Sequence, residues 1–223
     1  MRIVIINGSP RMNGATAKIL HALESCLLKH SDVSVEFINL SKQDIKPCIG
    51  CMSCYKTGKC HIKDDAEKLS ELIGSADGLI MGSPTYASNV SGQLKTFIDR
   101  GHFVMEQLLY KKHGISVATG VNYGSSDACR IISKLMRYSG AYLTGSIVCN
   151  TPFGSDPCDE KMLGRISKLS EKLYRDIKRE KSYPVQKLVH SVIFSCGIKP
   201  FVKKNSPDYT GTMNKWRAAK TEK

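Results

Sequence analysis

The chain has 223 residues, 41% of them hydrophobic, and a formal charge of +13 at pH 7. That length suits one sizeable core with an extension, and no repeat, low-complexity tract, export-signal pattern or apolar run of the roughly 20 residues that span a bilayer is present. A cytoplasmic protein is expected, in which nine cysteines read as thiols or metal ligands rather than disulfides.

Ile3-Val4-Ile5-Ile6 is a short β-branched apolar run, the signature of a buried strand in a parallel sheet. Asn7 to Gly14 follows as a loop with two glycines and a proline, and helical spacing resumes from Ala15. A strand, loop and helix N-terminus in that order aim free backbone N–H groups and a positive dipole end at one point. Gly8 and Gly14 permit close backbone approach. Ser9, Asn13 and Thr16 add neutral donors, and Arg11 adds a fork suited to phosphate oxygens. The pattern Gly-Ser-Pro-Arg-x-Asn-Gly-x-Thr matches neither the dinucleotide fingerprint nor the nucleotide-hydrolase loop, so a monophosphate is the ligand it suits. An ordinary polar turn without a ligand is the alternative. Ser9 stands where a phosphatase of this topology would want a nucleophilic cysteine.

Thr16 to Lys29 carries a helical apolar stripe, and Val33 to Ile38 alternates as a strand, which completes one βαβ unit. Gln43 to Asp64 has no convincing period. Within it Cys48, Cys51, Cys54 and Cys60 spell C-x2-C-x2-C-x5-C, with Gly50 and Gly58 to relieve crowding. Four thiolates in steps of three suit a [4Fe-4S] cluster. A zinc site and a segment of bare thiols remain open readings.

Asp65 to Gly74 reads as a short helix and Asp77 to Gly82 as a buried strand that ends in a second polar loop, Ser83 to Asn89. Gly92 to Arg100 is a helix that continues irregularly to about Tyr110. A strand at Gly114 to Thr119 leads into a third loop, Gly120 to Ser126. A helix (Asp127 to Tyr138), a strand (Ala141 to Cys149) and a long helix (Asp159 to Lys178) follow. Five strands alternating with helices predict a doubly wound parallel α/β sheet over residues 1–178, with the three polar loops converging at its switch point. Beyond Lys178, Tyr183-Pro184 breaks the helix, and residues 179–223 read as an extension that packs on the body or on a partner subunit. Much of the positive charge lies late, in Lys161 to Lys187 and Lys199 to Lys223, where a solvated basic face explains it without a specific nucleic-acid site. His30, His102, His113 and His190 have no motif around them and read as surface or packing residues.

Gly8-Ser9-Pro10-Arg11-x-x-Gly14-x-Thr16, the segment Cys48 to Cys60 followed by Asp64-Asp65, the loop Gly82-Ser83-Pro84-Thr85-Tyr86, and Gly92-x-Leu94-Lys95-x-Phe97-x-Asp99-Arg100 together resemble the NADPH-dependent FMN reductase branch of the flavodoxin-like fold. The cysteine spacing is similar to that of the iron-sulfur flavoproteins within it. The resemblance implies a sheet of order 2-1-3-4-5 and FMN as the phosphate-bearing ligand. Ser9, Arg11, Asn13, Gly14, Ala15 and Thr16 would hold the phosphate. Pro84, Thr85, Tyr86, Ala87, Ser88 and Asn89 would run beside the ring system and ribityl chain, with Thr119, Gly120 and Gly124 closing the third side. It further implies electron transfer between NAD(P)H or a cluster, FMN and an acceptor, in a homodimer or higher homo-oligomer. An electron carrier served by ferredoxin-type partners is the rival expectation, to which the positive surface is suited.

Overall fold

The computed structural model describes residues 1–221. The N-terminal apolar run is strand β1 (Arg2–Asn7), buried from its second residue onward. With β2 (Ser34–Asn39), β3 (Gly78–Pro84), β4 (His113–Gly120) and β5 (Tyr142–Asn150) it forms one sheet in the order β2-β1-β3-β4-β5. Every pairing is parallel. This is the expected doubly wound sheet, and its order reverses at β1, which has β2 on one side and β3 on the other.

The helices are α1 (Ala15–Leu27), α2 (Ser53–Thr57), α3 (Asp65–Ser75), α4 (Gly92–Arg100), α5 (Phe103–Glu106), α6 (Ser125–Tyr138) and α7 (Glu160–Lys178). Successive side chains of a strand point to opposite faces, and β1 divides accordingly. Ile3 and Ile5 pack among Leu20 and Leu23 of α1 and Ile166 and Leu173 of α7. Val4 and Ile6 join the opposite layer with Leu69 and Ile73 of α3, Phe97 of α4 and Ile132 of α6.

The boundaries move where turn chemistry outweighs periodicity. Ser125 and Ser126, read above as loop, form the first turn of α6, because Gly124 takes a left-handed backbone (φ 81°) and lets the helix begin at once. The irregular stretch after α4 contains α5, bracketed by left-handed His102 (φ 53°) and Gln107 (φ 57°). Phe97 and Phe103 meet edge to face at 5.6 Å across that break.

Pro184 ends nothing by itself. It is the first residue of α8 (Pro184–Val192), where a proline's missing N–H costs no hydrogen bond. The chain then passes through a wide helical turn, Ile193–Ile198, into α9 (Lys199–Lys204), and returns as α10 (Thr210–Thr221). Gln186 bonds the edge of the sheet, donating to the Leu143 carbonyl at 3.0 Å and accepting from the Leu143 N–H at 2.8 Å. On α10, Trp216 Nε1 donates to the Met105 carbonyl at 2.9 Å, and Lys215 reaches Glu106 at 2.7 Å. Val185, Leu188, Val189 and Val192 form an exposed apolar stripe along α8. Among the described residues, no helix is long and apolar enough to cross a membrane.

Candidate functional site

The loop after β1 is held in place by its backbone. Gly8 N–H donates to the Gly82 carbonyl at 2.8 Å, and the Gly8 carbonyl accepts from Ser91 Oγ at 2.5 Å. A Cβ on Gly8 would lie 2.9 Å from both Gly82 O and Leu94 Cβ, so glycine is required for this close approach. Asn7 organises the next residues: its Oδ1 accepts from Ser9 N–H at 3.0 Å, while its Nδ2 donates to Asn39 at 2.7 Å. Ser9 Oγ in turn accepts from Arg11 N–H at 3.1 Å.

Helix α1 then starts with nothing on its N-terminus. Its cap residue is Gly14, which has no side chain to accept a hydrogen bond, and its first turn contains no acid. The first N–H groups of a helix have no partner within it, and together they carry about half a positive charge. Thr16 Oγ1 ties this end of the helix to the end of β4 through Thr119 Oγ1 at 2.7 Å.

These groups open into a cavity of about 550 Å³ over the C-terminal edge of the sheet, within the roughly 300–1,000 Å³ typical of small-molecule sites. Ser9, Arg11, Asn13, Gly14, Ala15, Thr16, Pro84, Thr85, Tyr86, Thr119 and Gly120 all line it. Ala87, Ser88, Asn89 and Gly124 do not. Ala87, Ser88 and Asn89 form the turn behind Tyr86, and Gly124 caps α6 against it, where a Cβ on Gly124 would fall 2.8 Å from Ser88 Cα. The hydroxyl of Thr85, in the cavity wall, and that of Ser125, beside Gly120, are buried without a hydrogen-bond partner. Buried hydroxyls are seldom left unpaired, and Thr85 presents one in the cavity wall while that of Ser125 lies against Gly120.

Sequence reasoning missed the fourth wall, Thr151 to Ser155, together with Met12, Lys18 and Val121. The signal was present: Thr151-Pro152-Phe153-Gly154 follows β5 as the other loops follow their strands. Arg11 sits 5.2 Å over the Phe153 ring. Tyr86 and Phe153 are both exposed, which gives the mouth an aromatic rim.

The turn Tyr86–Asn89 is closed by two backbone hydrogen bonds of 3.0 Å, and both of its central residues, Ala87 (φ 48°) and Ser88 (φ 58°), are left-handed. Such a turn normally takes Asn or Gly there, because a Cβ makes the left-handed region costly. Ala87→Gly should therefore raise stability by about 0.5–1 kcal/mol, read as a melting temperature higher by a few degrees. An unchanged or lower value would show that the turn is unstrained.

The cysteine segment runs between β2 and α3. Cys48 and Cys51 are exposed, Cys54 and Cys60 are half-buried, and none is in a disulfide. Gly50 (φ 67°), Met52 (φ 62°) and Gly58 (φ 84°) are left-handed and fold the segment into tight turns. Cys51 Sγ lies 3.3 Å from His61 Nδ1. His102, which carries no motif, faces the Cys54 thiol and is nearly buried 3.2 Å from Glu106. Burial alone would lower its pKa, but hydrogen bonds and charge from Cys54 and Glu106 outweigh burial and raise it to about 10. Among the described residues, no three His, Cys, Asp or Glu side chains converge on a metal-sized point.

Comparison with known proteins gives a consistent pattern. The family model described as NADPH-dependent FMN reductase matches residues 1–155. An iron-sulfur flavoprotein of Clostridioides difficile (strain 630) is 39% identical over 219 residues, 97% of each chain. An iron-sulfur flavoprotein of Archaeoglobus fulgidus is 30% identical over 208 residues, 88% of this chain and 93% of the relative. Among solved structures, an NADH:FMN oxidoreductase in its apo form superposes with a TM-score of 0.59, at 21% identity over 83% of this chain and 93% of that one. At that identity, the likeness speaks for the fold alone.

Proposed function

Since the chain belongs to the NADPH-dependent FMN reductase family, in its iron-sulfur flavoprotein branch, and is by that membership a flavin-dependent oxidoreductase, we propose that its cavity binds FMN and that Cys48, Cys51, Cys54 and Cys60 hold a [4Fe-4S] cluster. The observation that carries the FMN half is the uncapped N-terminus of α1, which opens into a 550 Å³ cavity beside the unpartnered hydroxyl of Thr85. Bound FMN supplies one- and two-electron redox chemistry.

The chain's own part is to bind, orient and shield. The N–H groups at Ala15 and Thr16 and the guanidinium of Arg11 take the phosphate, where charge-assisted hydrogen bonds are the strong ones. The hydroxyl of Thr85 finds an acceptor on the ligand. Pro84, Thr85 and Tyr86 wall one side, Thr119 and Gly120 another, and the Thr151 to Ser155 loop the third. Gly120 leaves room for the ligand, and no side chain is required as acid or base.

For the cluster, the donor set supports the assignment: four free thiols at C-x2-C-x2-C-x5-C spacing suit iron and sulfide. Electrons enter from NAD(P)H or a ferredoxin-type donor and leave to an acceptor. The chain's +13 charge favours the reading in which that partner is an acidic redox protein. The exposed stripe on α8 supports a homo-oligomer, since soluble chains seldom leave such faces uncovered.

Anaerobically purified protein should show flavin absorption and, on the same sample, roughly four irons and four sulfides per chain. Steady-state NAD(P)H oxidation would assign the donor. A colourless chain that FMN does not reconstitute would overturn the FMN assignment, and flavin without iron would overturn the cluster.

A further inference from the structure

Two of the sequence motifs have no part in the cavity: the Asp64-Asp65 pair that follows the last clustered cysteine, and the arginine that ends α4. They meet in the interior. Arg100 is 2% exposed, and its guanidinium grips the Asp64 carboxylate with both terminal nitrogens, at 2.8 and 2.9 Å. The same fork donates to the Lys46 carbonyl at 2.6 Å and to the Ile62 carbonyl at 3.4 Å. Asp64 accepts from the Lys46 N–H at 2.9 Å and the Ala66 N–H at 3.1 Å. Lys46 stands just before Cys48, and Ile62 and Asp64 just after Cys60, so one buried ion pair ties together both ends of the segment that carries all four thiols. The Cys60 thiol lies within hydrogen-bonding reach of the same guanidinium.

The other end of α4 is fixed to the cavity. Ser91 caps the helix by accepting from Leu94 N–H at 3.2 Å, and its hydroxyl donates to the Gly8 carbonyl in the first loop. Nine helical residues separate that cap from the guanidinium, a rod of about 13 Å. We propose that the Asp64–Arg100 pair is the clasp of the cysteine segment, with Arg100 the positioning residue that fixes where Cys48, Cys51, Cys54 and Cys60 stand relative to the cavity at the head of α4. The inference rests on the reading of those cysteines as cluster ligands only for its consequence on iron. The clasp itself is a statement about the chain.

An arginine fork holds a planar carboxylate and two carbonyls at once, and neither lysine nor an apolar side chain does. In the full FMN-loaded chain, Arg100→Met should therefore speed amide exchange across residues 46–64 by about tenfold or more, with FMN affinity unchanged. Iron release to a chelator should quicken by about 10- to 100-fold, the usual cost of losing a residue that orients ligands. Arg100→Lys should fall between wild type and Arg100→Met in both readouts, a graded rescue that loss of core packing would not give. If Arg100→Met fails to retain FMN, the double variant Asp64→Leu/Arg100→Met, which leaves no unpaired buried charge, is judged by the same criteria. Exchange over 46–64 within twofold of wild type in a variant that still binds FMN would overturn the clasp. A wild-type chain without iron would sink the cluster assignment, and the exchange comparison would still decide the clasp.

Discussion

An apoprotein carrying Gly14→Asp should melt no lower than wild type while its FMN affinity falls at least a hundredfold. The two effects have opposite signs for one reason. Gly14 has the extended backbone of a helix cap (φ −77°, ψ 175°), which aspartate adopts freely. An aspartate there would accept from the orphan N–H groups of α1, favour the dipole and reduce the freedom of the unfolded chain, together worth about 0.5–1 kcal/mol. The new Cβ meets Arg11 Cβ at 3.2 Å, a tight contact on an exposed loop that has room to give. The carboxylate would occupy the anion site, and at about 4 Å from a phosphate it would repel each unit of charge by about 4 kcal/mol at a near-surface effective dielectric. Gly14→Asn is the control, since it caps without charge and should lose much less affinity. Titration of apoprotein by flavin fluorescence reads the result. Aspartate within threefold of wild type would show that the phosphate does not lie at α1.

Gly211→Val should undock the C-terminal helix. A Cβ at Gly211 would stand 2.1 Å from Gly58 N and 2.7 Å from Thr57 C, backbone atoms that cannot swing aside. To admit a side chain, α10 must lift off α2 and give up the Tyr55–Tyr209 stack at 5.1 Å, the Lys56–Asp208 pair at 3.0 Å and the Trp216 bond to Met105. Overpacking of this kind, with the contacts it breaks, costs about 3 kcal/mol. Trp216 is the chain's one tryptophan, so its emission reports the event directly. It should shift to the red, with a lower melting temperature, while FMN binding at the far end of the sheet persists. An unshifted emission and a wild-type melt would show that the two glycines do not pack as described.

The parts of this architecture that were legible in the sequence are those set by local chemistry. Ile3 to Ile6 announce a buried strand, the glycines and hydroxyls after it announce an anion loop, and the stripes of α1 and α7 announce the layer they cover. Eleven of the fifteen residues expected around the ligand do line one cavity. Of the four that do not, Ala87, Ser88 and Asn89 follow Tyr86 directly and are turned away by two consecutive left-handed residues, a backbone of which Ala87 gives no hint, while Gly124 is taken up as the cap of α6. The loop after β5 is marked by its place behind a strand, but Phe153 within it, a lone exposed aromatic, carries no motif. Its role comes from Arg11, which a fold had to bring over it. His102 against Cys54 and Arg100 against Asp64 are likewise pairings across 48 and 36 positions, encounters that only topology creates.

The grip of Gln186 on Leu143 bears on what this sheet can become. β5 is a terminal strand, and a bare terminal strand is a template on which any extended peptide can add. A glutamine amide offers the same donor and acceptor as a peptide group, and here both are engaged with the N–H and C=O of one residue. At that rung the side chain acts as a one-residue sixth strand, already paired, with nothing left to recruit a further chain. Growth of the sheet sideways, the first step toward fibrous aggregates, is blocked there by a side chain borrowed from a helix.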